Sequence, residues 1–142
     1  MRAPAIATTA ARHTPWMHRL CLLLLCAAYL QGGFNKLTDF GSAIAEMQHF
    51  GLAPAGPLAA LVIALELGAS VAVVSGWYRW LGAGFLGVFT LMATFVANRY
   101  WDMAAGHERF MTANSFYEHL GLTGAFLLVA WLDLQKGEDG TR

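Results

Sequence analysis

Residues 58–77 read LAALVIALELGASVAVVSGW, twenty residues whose single ionisable side chain is Glu66. At about 1.5 Å of rise per residue such a run spans a hydrocarbon layer of about 30 Å, which makes it a membrane-crossing helix. A carboxyl near the middle of a bilayer costs about 3 kcal/mol and is tolerated where it faces a bundle interior with a partner or a proton. The remaining chain must therefore supply polar groups around residue 66.

Composition agrees with a membrane protein. Apolar residues make up 57% of the 142 and charged ones only 13%, too greasy for an ordinary soluble domain, and the length suits one domain. Nine basic residues balance nine acidic ones, so there is no electrostatic footprint for nucleic acid. Cys21 and Cys26 lie five apart in an apolar run, turned about 140° from each other on a helix. They read as small buried hydrophobes rather than a bonded pair.

Outward from the central span, the pattern predicts an all-α fold. Four helices cross the membrane, at about 17–36, 58–77, 80–98 and 116–133, with a short interfacial helix between the first two. Together they form one domain over 16–134, flanked by a disordered basic tail at 1–15 and a hydrophilic tail at 135–142. The run after Arg19 also resembles a signal peptide around Cys26-Ala27-Ala28, but it continues past the small residues without a clean cleavage site and is read as a span. Gly32-Gly33 and Asn35-Lys36 are expected to end it. Thr38 or Asp39 then caps a helix over 40–50 whose Phe40, Ile44, Met47 and Phe50 share one side, with Ser42, Glu46 and His49 on the other. Gly51 closes that helix, and Pro54 and Pro57 open the next.

Within the second span Ala60, Ala64, Gly68, Ala72 and Gly76 recur every four residues. They form a ridge expected to let another helix approach, with Glu66 and Ser70 nearly opposite. In the third, Gly82-Ala83-Gly84-Phe85-Leu86-Gly87 matches the dinucleotide fingerprint G-x-G-x-x-G, yet no strand precedes it and glycines in a lipid-length helix serve packing. Thr90, Thr94 and Asn98 form a polar stripe on one face, suited equally to helix–helix hydrogen bonding and to lining a site. Residues 99–115 read as a polar loop, and the fourth span carries Glu118, His119 and Thr123.

Lys and Arg divide unevenly between the two sides of such a bundle. Arg2, Arg12, Arg19, Arg79, Lys136 and Arg142 fall on one and Lys36, Arg99 and Arg109 on the other. The positive-inside rule puts both termini in the cytoplasm of a bacterial-type cell. Glu66, Thr90 and Thr123 then lie about 10–12 Å below the outer face, with Lys36, Asn98 and His119 above them. The expected site is an outward-opening polar pocket of Glu66, Ser70, Lys36, Thr90, Thr94, Asn98, His119 and Thr123. Mutual satisfaction of these groups inside the bundle is the alternative.

The sequence resembles the DoxX family of small four-helix bacterial membrane proteins. The resemblance rests on Gly32-Gly33-Phe34-Asn35-Lys36-Leu37, Glu66-Leu67-Gly68, Tyr100-Trp101-Asp102-Met103, Asn114-Ser115-Phe116 and Gly124-Ala125-Phe126-Leu127-Leu128. It covers about 16–132. Where relatives carry a Lys-Asn pair this chain has Glu118-His119, which leaves His119 or Lys36 as the counterpart of Glu66. The resemblance implies an inner-membrane protein, with some relatives associated with quinone-linked or thiol-linked oxidoreductases.

Two functions follow as expectations. In one, the chain is an accessory subunit of a membrane redox system that binds a quinone-like or other small amphiphile in the outer-half pocket, beside a membrane or soluble oxidoreductase partner. In the other, it is a non-catalytic carrier or scaffold for a solute or partner enzyme, and homo-oligomerisation is open. No catalytic residue of its own is apparent. His18 and His119 sit at opposite ends of the bundle and suit no shared haem, and no C-x-x-C pair offers dithiol chemistry. His49, His107, Glu108 and His119 show no metal-ligand spacing.

Overall fold

The computed structural model describes residues 15–139, and its elements there are helical throughout. The expected tail over 1–15 lies outside this range except for Pro15, as does 140–142 of the tail expected over 135–142. Five α-helices follow in order: α1 (Pro15–Thr38), α2 (Phe40–His49), α3 (Ala55–Ser75), α4 (Arg79–Ala97) and α5 (His107–Asp139), with a 3-10 turn at Tyr100–Asp102 before α5. Three regions are long and apolar enough to cross a membrane: Pro15–Thr38, Ala55–Ser75 and Arg79–Asp102. α5 is not among them, although its 33 residues would extend about 50 Å.

Several boundaries differ from the sequence reading. α1 runs through Gly32-Gly33 to Thr38, because Gly33 is seated against the Leu67 side chain and tertiary packing overrides the low helix propensity of glycine. Of the two cap residues considered for α2, Asp39 is the one used, its Oδ1 accepting from the Ser42 amide at 3.0 Å. The loop expected over 99–115 is shorter, since α5 begins at His107 and carries 107–115 as helix, and it continues past Leu132 to Asp139.

α3 packs against both α1 and α4, and α4 against α5, so the four long helices form a row that curls to bring α1 and α5 together. At the centre Leu22, Cys26 and Tyr29 of α1 meet Val73 of α3, Leu86 of α4 and Phe126 of α5, with the Tyr29 and Phe126 rings edge to face at 5.2 Å. Gly76 takes a left-handed conformation (φ 91°) that ends α3, and only three residues later α4 begins. That tight link forces α3 and α4 side by side. Their contact is closest at Gly82, where an added Cβ would stand 2.7 Å from the Ala69 carbonyl oxygen.

Of the small-residue ridge of α3 only Ala72 takes part in this contact, its Cβ 3.0 Å from the same added Cβ. Ala60, Ala64, Gly68 and Gly76 are exposed and only Ala72 is partly buried, while Ala59, Ile63, Glu66, Ser70 and Val73 form the buried face. The reason is polar: the face that carries Glu66 and Ser70 must turn inward, which turns the opposite ridge outward. Large apolar side chains share the outside. Leu24, Leu61, Val71, Phe85 and Leu128 are each half or more exposed, an apolar coat that lipid covers and water would not tolerate.

Candidate functional site

At the end of the bundle where α1 finishes and α3 begins, the helices part around a cavity of about 770 Å³. Its polar end is built on an ion pair. Glu66 is buried, 6% exposed, and the Lys36 ammonium stands 3.3 Å from each of its carboxylate oxygens. The same ammonium lies 3.8 Å from Glu46 Oε2 of α2, so one lysine is shared by two carboxylates. Lys36 reaches Glu66 because α1 stays helical past Gly32, and both groups lie over that glycine, at ordinary contact distances of 3.6 Å (Lys36 Nζ) and 3.7 Å (Glu66 Oε2) from where a Cβ would stand.

Beneath the ion pair, Thr90 donates to the Leu86 carbonyl at 2.6 Å. Its one hydroxyl hydrogen is thereby used, so in the 2.5 Å contact between Tyr29 and Thr90 the phenol is the donor. His119 lines the opposite side. Its Nδ1 is 2.6 Å from the Ser115 carbonyl oxygen, which can only accept, so Nδ1 carries a hydrogen and donates it there. Asn98 and Glu118 complete the polar lining, and Leu61, Val62, Leu65, Phe89, Met92 and Val96 supply an apolar wall between α3 and α4. Leu61 and Met92 are both 60% exposed, so this wall reaches the flank of the molecule.

Of the eight residues expected at the site, Lys36, Glu66, Thr90, Asn98 and His119 line the cavity. Ser70, Thr94 and Thr123 do not, although all three are buried. Thr94 donates to the Thr90 carbonyl of its own helix at 2.6 Å. The Ser70 hydroxyl faces the Cys26 thiol without a well-formed hydrogen bond, and the Thr123 hydroxyl has no partner among the described residues. Between the two counterparts considered for Glu66, Lys36 holds the position.

Tyr29, Glu46 and Glu118 belong to the lining but are not among the eight residues expected at the site. Tyr29 was legible, because it lies seven residues before Lys36 and shares its helical face. Glu46 was assigned to the solvent side of α2. It remains half exposed, yet its side chain reaches back across the end of α1 to Lys36. Beyond the cavity, Phe95, Tyr100, Trp101, Phe116 and Tyr117 stack in a continuous aromatic cluster that ties the 3-10 turn to α4 and α5. At the other end of the bundle, Asp133 accepts from the Trp80 amide and pairs with Arg79, clasping α5 to the start of α4.

A helical protein with an apolar exterior, several membrane-length helices and an acid–base pair buried beside a cavity is a small polytopic membrane protein. The DoxX family profile matches residues 19–99, more than half of the chain, and the chain belongs to the DoxX family. Inner membrane protein YphA of Escherichia coli K12 is 32% identical over 100 residues, 69% of each chain. Inner membrane protein YqjF of the same organism is 29% identical over 108 residues, 76% of this chain and 77% of its own. No solved structure gives a significant match.

Proposed function

We propose that the chain is a four-span protein of the bacterial inner membrane whose outer-half cavity binds a small amphiphile. It serves there as an accessory subunit of a membrane redox system rather than as an enzyme in its own right. The observation that carries the ligand reading is the Lys36–Glu66 pair at the polar end of a cavity whose apolar wall reaches the flank through Leu61 and Met92. A head group meets the charges while a hydrocarbon tail lies along the wall. A quinone is one form of amphiphile that suits the redox role.

In this reading α5 supplies the fourth span. Phe116, Phe126 and Ala130 are buried along its length, and Phe126 sits in the central core. Both termini then face the cytoplasm by the excess of Lys and Arg on that side. α2 lies in the outer interface, which suits its buried Ala43 and Met47 and its exposed Ser42, Glu46, Gln48 and His49. The inner-membrane names of the two relatives support the location.

Extraction of protein purified in native lipid, followed by mass spectrometry of the organic phase, tests the ligand reading. A quinone or other amphiphile enriched over bulk lipid, and lost in Glu66→Gln, is the expected result. Equal extracts from both proteins refute it. A scaffold role is favoured by one separate observation, the outward ridge of Ala60, Ala64 and Gly68, whose small side chains allow close helix approach in lipid. Cysteine crosslinking at residue 64 in membranes distinguishes an occupied ridge from one facing lipid alone.

A further inference from the structure

The hydrogen-bonding groups of the cavity are unequally divided between donors and acceptors. Glu46, Glu66 and Glu118 line it against the single ammonium of Lys36, three carboxylates to one fixed positive charge. That ammonium is already engaged by Glu66 at 3.3 Å and Glu46 at 3.8 Å. The Tyr29 hydrogen goes to Thr90 and the Thr90 hydrogen to Leu86, leaving the phenol oxygen as an acceptor. His119 directs its Nδ1 hydrogen to Ser115 and so does not offer it to the cavity. Asn98 is the one amide in the lining and the one side chain there whose N–H groups bond to no described residue.

A cavity so rich in acceptors and in negative charge favours an occupant that brings hydrogens and positive charge. We propose that the head group bound at Glu46 and Glu66 is a protonated primary amine, carried on an apolar tail that lies along Leu65, Phe89 and Met92. This rests on the amphiphile reading above and narrows it away from an oxidised quinone, whose carbonyls only accept. The ammonium would bridge the free lone pairs of Glu66 and Glu46 beside Lys36, completing a charge balance that the protein alone leaves short. The two glutamates then act as acceptors and the apolar wall selects for a hydrocarbon chain over a small hydrophilic amine.

Full-length protein in phosphatidylcholine nanodiscs, titrated with an aminopentyl fluorophore and with its hydroxypentyl counterpart, tests the proposal by fluorescence anisotropy. The amine should bind at least tenfold tighter than the alcohol. Glu66→Gln and Glu46→Gln should each weaken the amine tenfold or so without changing the alcohol. Lys36→Met removes the competing ammonium and should tighten amine binding about tenfold; Lys36→Gln is the substitute if the Met variant fails to fold. Equal affinities for amine and alcohol, or weaker amine binding after loss of Lys36, overturn the ammonium head group and leave the amphiphile reading intact. Binding of neither probe overturns both. Replacing half of the lipid by phosphatidylethanolamine separates the sources of the amine: displacement of the probe identifies a lipid head group, and undiminished binding a free alkylamine.

Discussion

Replacing Lys36 by Met tests whether the ion pair holds the bundle together at the cavity. Methionine keeps the length and the apolar stem of lysine, so what is lost is the charge. Glu66 would be left buried, its side chain 8% exposed, with its partner gone from both oxygens. Leaving a buried charge unpaired costs about 3–5 kcal/mol, and the lower end applies here because the Lys36 side chain is still 18% exposed. A loss of about 3 kcal/mol shifts the folding equilibrium by roughly 10²-fold at about 1.4 kcal/mol per decade. Unfolding in mixed micelles of increasing SDS fraction, followed by tryptophan fluorescence, measures it. Lys36→Met combined with Glu66→Gln should restore about 2 kcal/mol of that loss, since a neutral amide tolerates the site better than an unpaired carboxylate. A double variant no more stable than Lys36→Met alone, or a single loss below about 1 kcal/mol, refutes the reasoning.

Other outcomes follow from the packing. Gly82→Ala places a methyl group 2.7 Å from the Ala69 carbonyl oxygen and should destabilise by about 1–3 kcal/mol, whereas Gly84→Ala, with nothing within 4 Å, should be neutral in the same SDS titration. Phe126→Ala opens a cavity in the central core and should cost about 3 kcal/mol, against less than about 0.5 kcal/mol for the exposed Phe85→Ala. Tyr29→Phe removes one buried hydrogen bond while keeping the ring against Phe126, for a loss of about 1 kcal/mol; no change would mean that the contact with Thr90 contributes nothing.

The membrane class and the burial of Glu66 were legible because they rest on length and on the cost of charge in lipid, both local to one stretch. Lys36 was legible as a partner from its place at the end of the first span. The direction of the α3 ridge was not. Spacing alone establishes that Ala60, Ala64, Gly68 and Ala72 share a face, but whether that face meets protein or lipid depends on which opposite face must be hidden, and here Glu66 decides it. The role of Thr94 was equally hidden, since a threonine that bonds its own helix and one that faces a cavity have the same sequence pattern. Glu46 escaped because a long side chain at the edge of a helix can reach past the face its Cα occupies.

The spacing of the central ion pair also bears on how the protein is made. Lys36 precedes Glu66 by thirty residues. At about 5–20 residues per second the ribosome adds that interval in roughly 2–6 s, so the cation is already emplaced when the acid emerges. The short link after Gly76 lets α3 and α4 be delivered as one hairpin, docking onto a waiting first helix. A topology that reversed this order would require the bilayer to shelter a lone anion during biogenesis, and the chain order avoids that stage.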